Sequence, residues 1–114
     1  MEFATKLSGV KVVLVLGHES CGAVKGACDG AEMGNLTALL ASIQPAVDAV
    51  GGFADDQRNS KNADFVAAVV EENVHQTIRD IRADSEILSE LERQGTIKIV
   101  GGIYSLKTGD VRWL

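Results

Sequence analysis

Proline, cysteine and aromatic residues are what this sequence has least of. A single Pro, two Cys, three Phe, one Tyr and one Trp stand among its 114 residues. Two cysteines do not make the disulfide framework of a small secreted scaffold, so the thiols are read as doing chemistry or packing. With so few rings and 12 Gly, the core has to be aliphatic, and the backbone has to turn or approach closely in several places. Long apolar runs are also missing. Runs such as Val12-Val13-Leu14-Val15-Leu16 fall far short of the roughly 20 residues that cross a bilayer, and no charged-then-apolar leader opens the chain. A soluble, cytoplasmic protein with no membrane partner is expected. Positive charge is in deficit as well: 11 Lys and Arg face 16 Asp and Glu, a net of -5. That balance repels a phosphate backbone and argues against a nucleic-acid partner.

What is present is ordinary globular material, 46% hydrophobic and 24% charged, in a length that allows one domain over 1–114 and no second core. Val10 to Leu16 is almost continuously β-branched and aliphatic, bounded by Gly9 and Gly17, which reads as a strand buried on both faces of a parallel sheet. Before it, Phe3, Leu7 and Val10 recur at helical spacing, so Met1 to Ser8 reads as the end of a helix that has no start signal. After it, Gly17-His18-Glu19-Ser20 reads as a tight turn, and Cys21 to Ala31 as a helix capped by Ser20.

Further on, Leu36, Leu39, Leu40, Ile43, Val47 and Val50 share one apolar helical face, with Pro45 marking a kink or a fresh first turn. Asp55 to Asn62 is a polar surface loop. Phe65 through Ile81 gives a long amphipathic helix, and Ser85 caps a shorter one that stops at Gly95. Thr96 to Val100 is a second buried-type strand. Ile103–Leu106 and Val111–Leu114 flank a Gly-containing turn and read as a hairpin. The fold class is therefore α/β: a parallel-sheet core flanked by helices, with an antiparallel hairpin at the C-terminal end.

Sites in open α/β sheets lie beyond the carboxyl ends of the strands, and Gly17 to Gly22 is the chemically loaded segment there. His18 and Cys21 are separated by two residues across a strand-to-helix turn, which is metal-ligand spacing. A helix N-terminus favours a thiolate and readies it for a soft cation such as zinc. The same pattern also fits a capped turn with a buried Cys and a solvent-facing His, and the pair alone does not choose between these. Cys28 lies seven residues along the helix from Cys21, roughly 10 Å at ~1.5 Å per residue. That is too far for a disulfide and an unfavourable place for a shared metal shell, so Cys28 is assigned to the core. His75, four residues after Glu71, reads as one half of a solvated helical pair.

The run Val13-Leu14-Val15-Leu16-Gly17-His18-Glu19-Ser20-Cys21-Gly22-Ala23-Val24-Lys25-Gly26-Ala27 resembles the second zinc-ligand motif of the β-class carbonic anhydrases. Gly34-Asn35-Leu36, Ile43-Gln44-Pro45-Ala46-Val47, Glu72-Asn73-Val74, Ile99-Val100-Gly101-Gly102 and Leu106-Lys107-Thr108-Gly109 follow in that family's order. The resemblance thus covers nearly the whole chain. It implies a lyase (carbonate dehydratase) that interconverts carbon dioxide and bicarbonate with zinc held by two Cys and one His. In such sites a metal-acidified water supplies the attacking hydroxide. His18 and Cys21 match the family's His and second Cys, and Gly22 matches the position beside the metal where backbone amides approach the substrate or another small anion.

The family's first motif, Cys-x-Asp-x-Arg, belongs before this strand and is not found in the sequence, and Ser105 stands where the family often has Asp. No catalytic residue is assignable without that motif. The expectation is a truncated β-carbonic-anhydrase-like fold, incomplete at its N-terminus, keeping two protein ligands where a catalytic zinc needs three. In the resembled fold the strand carrying the missing motif flanks Val10 to Leu16. Without it an apolar edge is bare, so a dimer or larger homo-oligomer formed through that edge is expected.

Three functions follow. One is residual zinc-dependent hydration with ligands completed by a second chain, water or buffer. Another is a non-catalytic remnant whose metal site is structural or absent. The third is thiol chemistry at Cys21, which has no resolving cysteine nearby. Of these, an inactive or weakly active family member is preferred.

Overall fold

The computed structural model describes residues 11–19, 21–30 and 37–114. In chain order these form β1 (Val12–His18), α1 (Gly22–Cys28), α2 (Thr37–Ala49), α3 (Ala63–Asp84), α4 (Glu86–Arg93), β2 (Lys98–Tyr104) and β3 (Val111–Trp113), with a 3-10 turn at Asp55–Gln57. The expected helix at Met1 to Ser8, Val10, the cap Ser20, Ala31 and the Gly34-Asn35-Leu36 landmark lie outside the described residues.

The sheet has the order β1-β2-β3, parallel between β1 and β2 and antiparallel between β2 and β3, so the α/β class and the C-terminal hairpin are as expected. The hairpin closes through Gly109, whose φ of 74° is costly for any residue with a Cβ. Register pairs Val12 with Lys98 and continues to His18 opposite Tyr104. Two strand boundaries differ from the sequence reading. Gly17 and His18 are still strand, so the turn starts at Glu19, and Gly101-Gly102 lie inside one continuous β2 instead of ending it.

Helix α3 explains those glycines. It is 22 residues long, capped by Asn62, whose Oδ1 accepts from Asp64 N and Phe65 N. It lays Val70, Val74 and Ile78 along the sheet. A Cβ on Gly101 would lie 2.8 Å from Val74 Cγ1, and one on Gly17 would lie 2.9 Å from Val74 Cγ2 and from Val70 Cγ1. The helix therefore sits flush on the two strands, its Val74 straddling them, and only glycine admits that approach.

On the α3 side the core comprises Phe65, Val66, Val69, Val70, Val74, Leu88, Ile97, Ile99 and Ile103, together with Val24, Ala27 and Cys28 of α1 and Ile43, Ala46 and Val47 of α2. It is aliphatic apart from Phe65, as the composition requires. Arg58, within the loop read as purely polar, sends its guanidinium to the carbonyls of Val47 and Val50 at the end of α2 and lies 4.9 Å over the Phe65 ring. It satisfies carbonyls that a helix terminus leaves without partners.

The opposite face of the sheet departs most from expectation. β1 alternates instead of being buried on both sides: Val13 and Val15 are half-buried against the core, whereas Val12, Leu14 and Leu16 are 53%, 44% and 49% exposed. Trp113, opposite Gly102 on β3, is 64% exposed on the same face. Among the described residues nothing covers this face, and β1 pairs with β2 alone. Pro45 sits inside α2 without ending it. Ser85 caps α4 as read, its Oγ accepting from Leu88 N at 3.2 Å. No helix among the described residues is long and apolar enough to cross a membrane.

Candidate functional site

The carboxyl ends of the parallel strands β1 and β2 meet at His18 and Tyr104, and the chemically loaded segment lies there. His18 is the last residue of β1 and is exposed. Its Nδ1 is 2.9 Å from the Glu19 carbonyl oxygen. A carbonyl only accepts, so Nδ1 is the donor in this contact and Nε2 is the ring nitrogen it leaves for another partner. An imidazole whose Nδ1 is fixed by a carbonyl in this way is oriented to bind a metal through Nε2.

Cys21 occupies the N-cap position of α1, the role read for Ser20, with φ −60° and ψ 119°. Its side chain makes no capping bond and is half-buried, while its carbonyl accepts from Lys25 N at 2.9 Å. The sulfur is thus left for other partners. Helix α1 ends at Cys28, where Gly30 at φ 65° turns the chain, so it is shorter than the helix read from the sequence. Gly22 is exposed, and a Cβ there would meet nothing within 4 Å. Packing among the described residues therefore imposes no requirement for glycine at that position.

Glu19 was not singled out by the sequence reading. Its amide donates to Tyr104 O at 3.2 Å, and its Oε2 accepts from Ser105 Oγ at 3.3 Å. Glu19 and Ser105 stand 86 positions apart, so no local pattern could reveal the contact. It ties the loop after β1 to the loop after β2. Beside it opens a groove of about 620 Å³, lined by Glu19, Asp64 and Asp110 and by Lys25, Lys61, Lys107 and Arg112.

The remaining candidates stand apart from these strand ends. Cys28 is buried in the core as assigned. Burial pushes its thiol pKa up, the Asp29 carboxylate adds to the rise, and Arg58 opposes it, so it stays a protonated packing group. Asp29, one residue on, accepts from Ser60 N and Ser60 Oγ, and these two bonds hold its carboxyl below the usual range. His75 sits on α3 with Nε2 4.0 Å from Glu71 Oε1, the solvated pair expected. Glu71 also receives Arg112 at 3.3 Å.

His18 and Cys21 offer one imidazole nitrogen and one sulfur, a donor chemistry that suits zinc. A catalytic zinc takes three protein ligands and an open position. Among the described residues no group of three or more His, Cys, Asp or Glu is placed to hold a metal. The described residues therefore offer two donors of the right chemistry and do not by themselves fit a catalytic zinc site.

Comparison with known proteins bears on this geometry. The family described as "Carbonic anhydrase" matches residues 1–111. The chain is 30% identical over 114 residues to carbonic anhydrase 2 of Mycobacterium tuberculosis, a match covering 96% of this chain and 51% of that one. It thus spans about half the length of this curated relative. Among solved structures it superposes on the Coccomyxa β-carbonic anhydrase bound to acetazolamide with a TM-score of 0.81 at 24% identity, covering 99% of this chain and 50% of that one. A tetrameric β-carbonic anhydrase of Sordaria macrospora gives a TM-score of 0.78 at 18% identity, covering 99% and 56%.

Proposed function

Since the chain belongs to the carbonic anhydrase family and has the fold of its β-class structures, we propose that these 114 residues supply the His18–Cys21 half of a zinc centre for interconverting carbon dioxide and bicarbonate. The observation that carries this is the pairing of a His18 whose Nδ1 is engaged by the Glu19 carbonyl, leaving Nε2 for another partner, with a Cys21 whose side chain makes no capping bond, at the ends of adjoining elements. Gly22, exposed with open space above it, is the position where a small anion meets backbone. Glu19 and Ser105 position the two loops that frame the site.

With two donors in place of three, the chain by itself holds zinc weakly and turns over slowly or not at all. The absence of a third donor among the described residues supports this over full activity. It equally supports the reading of a non-catalytic remnant. Thiol chemistry at Cys21 is disfavoured, because Cys28 is buried in the core and provides no resolving partner. The unpaired thiols support a cytoplasmic setting. The tetrameric assembly of the Sordaria macrospora β-carbonic anhydrase on which the chain superposes supports assembly as a homo-oligomer.

Metal analysis of the purified chain, paired with stopped-flow hydration of carbon dioxide, tests the reading. The expected result is weak zinc binding, lost in both His18→Ala and Cys21→Ser, with hydration close to the uncatalysed rate. One zinc per chain with turnover abolished by Cys21→Ser would overturn the claim of low activity. Zinc binding unaffected by either substitution would overturn the site itself.

A further inference from the structure

The bonds around Glu19 fix more than the two loops they join. His18 is exposed at the end of β1, and its ring is held by the hydrogen bond from Nδ1 to the Glu19 carbonyl oxygen at 2.9 Å. An exposed imidazole is otherwise free to turn about its side-chain torsions. Where Nε2 points therefore depends on what holds that carbonyl.

Two bonds from the end of β2 hold it. Glu19 N donates to Tyr104 O at 3.2 Å, and Glu19 Oε2 accepts from Ser105 Oγ at 3.3 Å. One bond anchors the amide nitrogen and the other the side chain of the same residue. With two substituents of a tetrahedral, chiral Cα held, the direction of the third, the carbonyl carbon, is set as well.

Ser105 is in turn held from three sides. Its N–H donates to Asp110 O at 2.8 Å, its carbonyl accepts from Gly109 N at 2.9 Å, and its Oγ accepts from Thr108 N at 3.4 Å. A hydroxyl has one proton to give, and here it goes to Glu19. The turn over 105–110 thus presents a fixed donor to the residue that follows His18.

We propose that Glu19 is a positioning residue for His18: tied to the turn after β2, it holds the peptide that orients the imidazole and leaves Nε2 for another partner. The effect runs through an acceptor oxygen and not through charge. Glu19→Gln keeps such an oxygen and should behave as the wild type, whereas Glu19→Ala and Ser105→Ala should release the ring. The purpose of this device rests on the half-site reading above, but its geometry needs no metal.

Long-range proton–nitrogen NMR spectra of the metal-free chain show which ring nitrogen carries the proton, at a pH well above the ordinary imidazole value of about 6.5. The chain has two histidines, and His75→Ala tells them apart. In the wild type, His18 should hold the proton on Nδ1. Ser105→Ala and Glu19→Ala should shift the balance about threefold or more toward Nε2, the factor carried by a net hydrogen bond, with circular dichroism unchanged. Glu19→Gln and Ser105→Thr should keep the wild-type pattern. Glu19 is exposed, so its variants serve if Ser105→Ala fails to fold. Zinc affinity, measured by competition with a chromophoric chelator, should fall about tenfold in the two alanine variants, the low end of what losing an outer partner costs. A His18 ring indifferent to both alanine variants overturns the positioning role, as does a Glu19→Gln variant that behaves like Glu19→Ala. A ring that responds as expected in a chain whose zinc binding is indifferent to His18→Ala upholds the positioning role and overturns the half-site reading.

Discussion

Val74 is wedged between two strands at positions where neither has a side chain, and this makes Gly101→Ala a sharp test of the packing. The new Cβ would stand 2.8 Å from Val74 Cγ1 and 3.0 Å from Ile78 Cδ1. Carbon atoms prefer about 3.5–4.0 Å, so α3 must lift or the side chains must shift by close to an ångström. Val74 and Ile78 are 3% and 8% exposed, so neither has solvent to move into. Overpacking of this kind costs about 1–3 kcal/mol, a sizeable share of the roughly 5–15 kcal/mol that holds a domain together. Val74→Ala, which empties the colliding volume, should cost about 1–3 kcal/mol alone through its lost methyls. The double variant should be more stable than the sum of the two predicts by at least about 1 kcal/mol, since each change relieves the other.

Urea unfolding of the parent, the two single variants and the double variant, followed by circular dichroism, gives the coupling directly. Gly17→Ala provides an internal control. Its Cβ meets Val70 Cγ1 at 2.9 Å as well as Val74 Cγ2, so Val74→Ala should rescue it less completely than it rescues Gly101→Ala. Additivity within about 0.5 kcal/mol, or a Gly101→Ala variant as stable as the parent, would refute the reasoning.

Two further outcomes follow from contacts away from the sheet. Arg58→Ala strips two carbonyls at the end of α2 of a charged donor and uncovers the Phe65 ring, so it should lower stability by about 1.5–3 kcal/mol. Arg58→Lys should recover less than half, as an ammonium lacks the fork, and equal stability of all three proteins in urea would count against it. Asp29 has its folded pKa lowered by Ser60, so its contribution is fully present above the unfolded carboxyl value of about 3.9 and is lost as pH falls through the lower folded value. Ser60→Ala should therefore destabilise the protein at neutral pH and converge with the parent in strong acid, which urea midpoints measured across the acid range would show. A constant offset at every pH would exclude the carboxylate as the cause.

Much of the fold was legible because it rests on local chemistry. The cap at Ser85, the apolar stripe from Phe65 to Ile81 and the hairpin around Gly109 are set by residues within a turn or two of one another. The misreadings share one origin: they depend on what a distant element does. Val12, Leu14 and Leu16 read as buried because the pattern cannot tell whether a second layer exists. Gly101-Gly102 read as the end of a strand, although a glycine within a strand also signals a close approach, which α3 makes there. Ser85 could be found by inspection and the Asn62 cap was passed over as loop, but the bond between Glu19 and Ser105, and the reach of Arg58 back to α2, could not be read at all. At the candidate site, spacing pointed to His18 and Cys21, whereas the 2.9 Å approach of His18 Nδ1 to the Glu19 carbonyl and the open space above Gly22 arise only in the folded chain.

The parallel pairing of β1 with β2 also governs how the chain is born. Val12 meets Lys98, and the segment closing that pair contains α1 through α4. No hairpin can form early to shelter β1, because a parallel partner must await a crossover. At the usual ribosomal pace of about 5–20 residues per second, the strand Val12–His18 spends roughly 4–20 seconds outside the tunnel before β2 exists. Throughout that interval both of its faces are apolar and the edge that β2 will take is open. Chaperone demand during synthesis should accordingly track the hydrophobicity of β1 more closely than the stability of the finished protein.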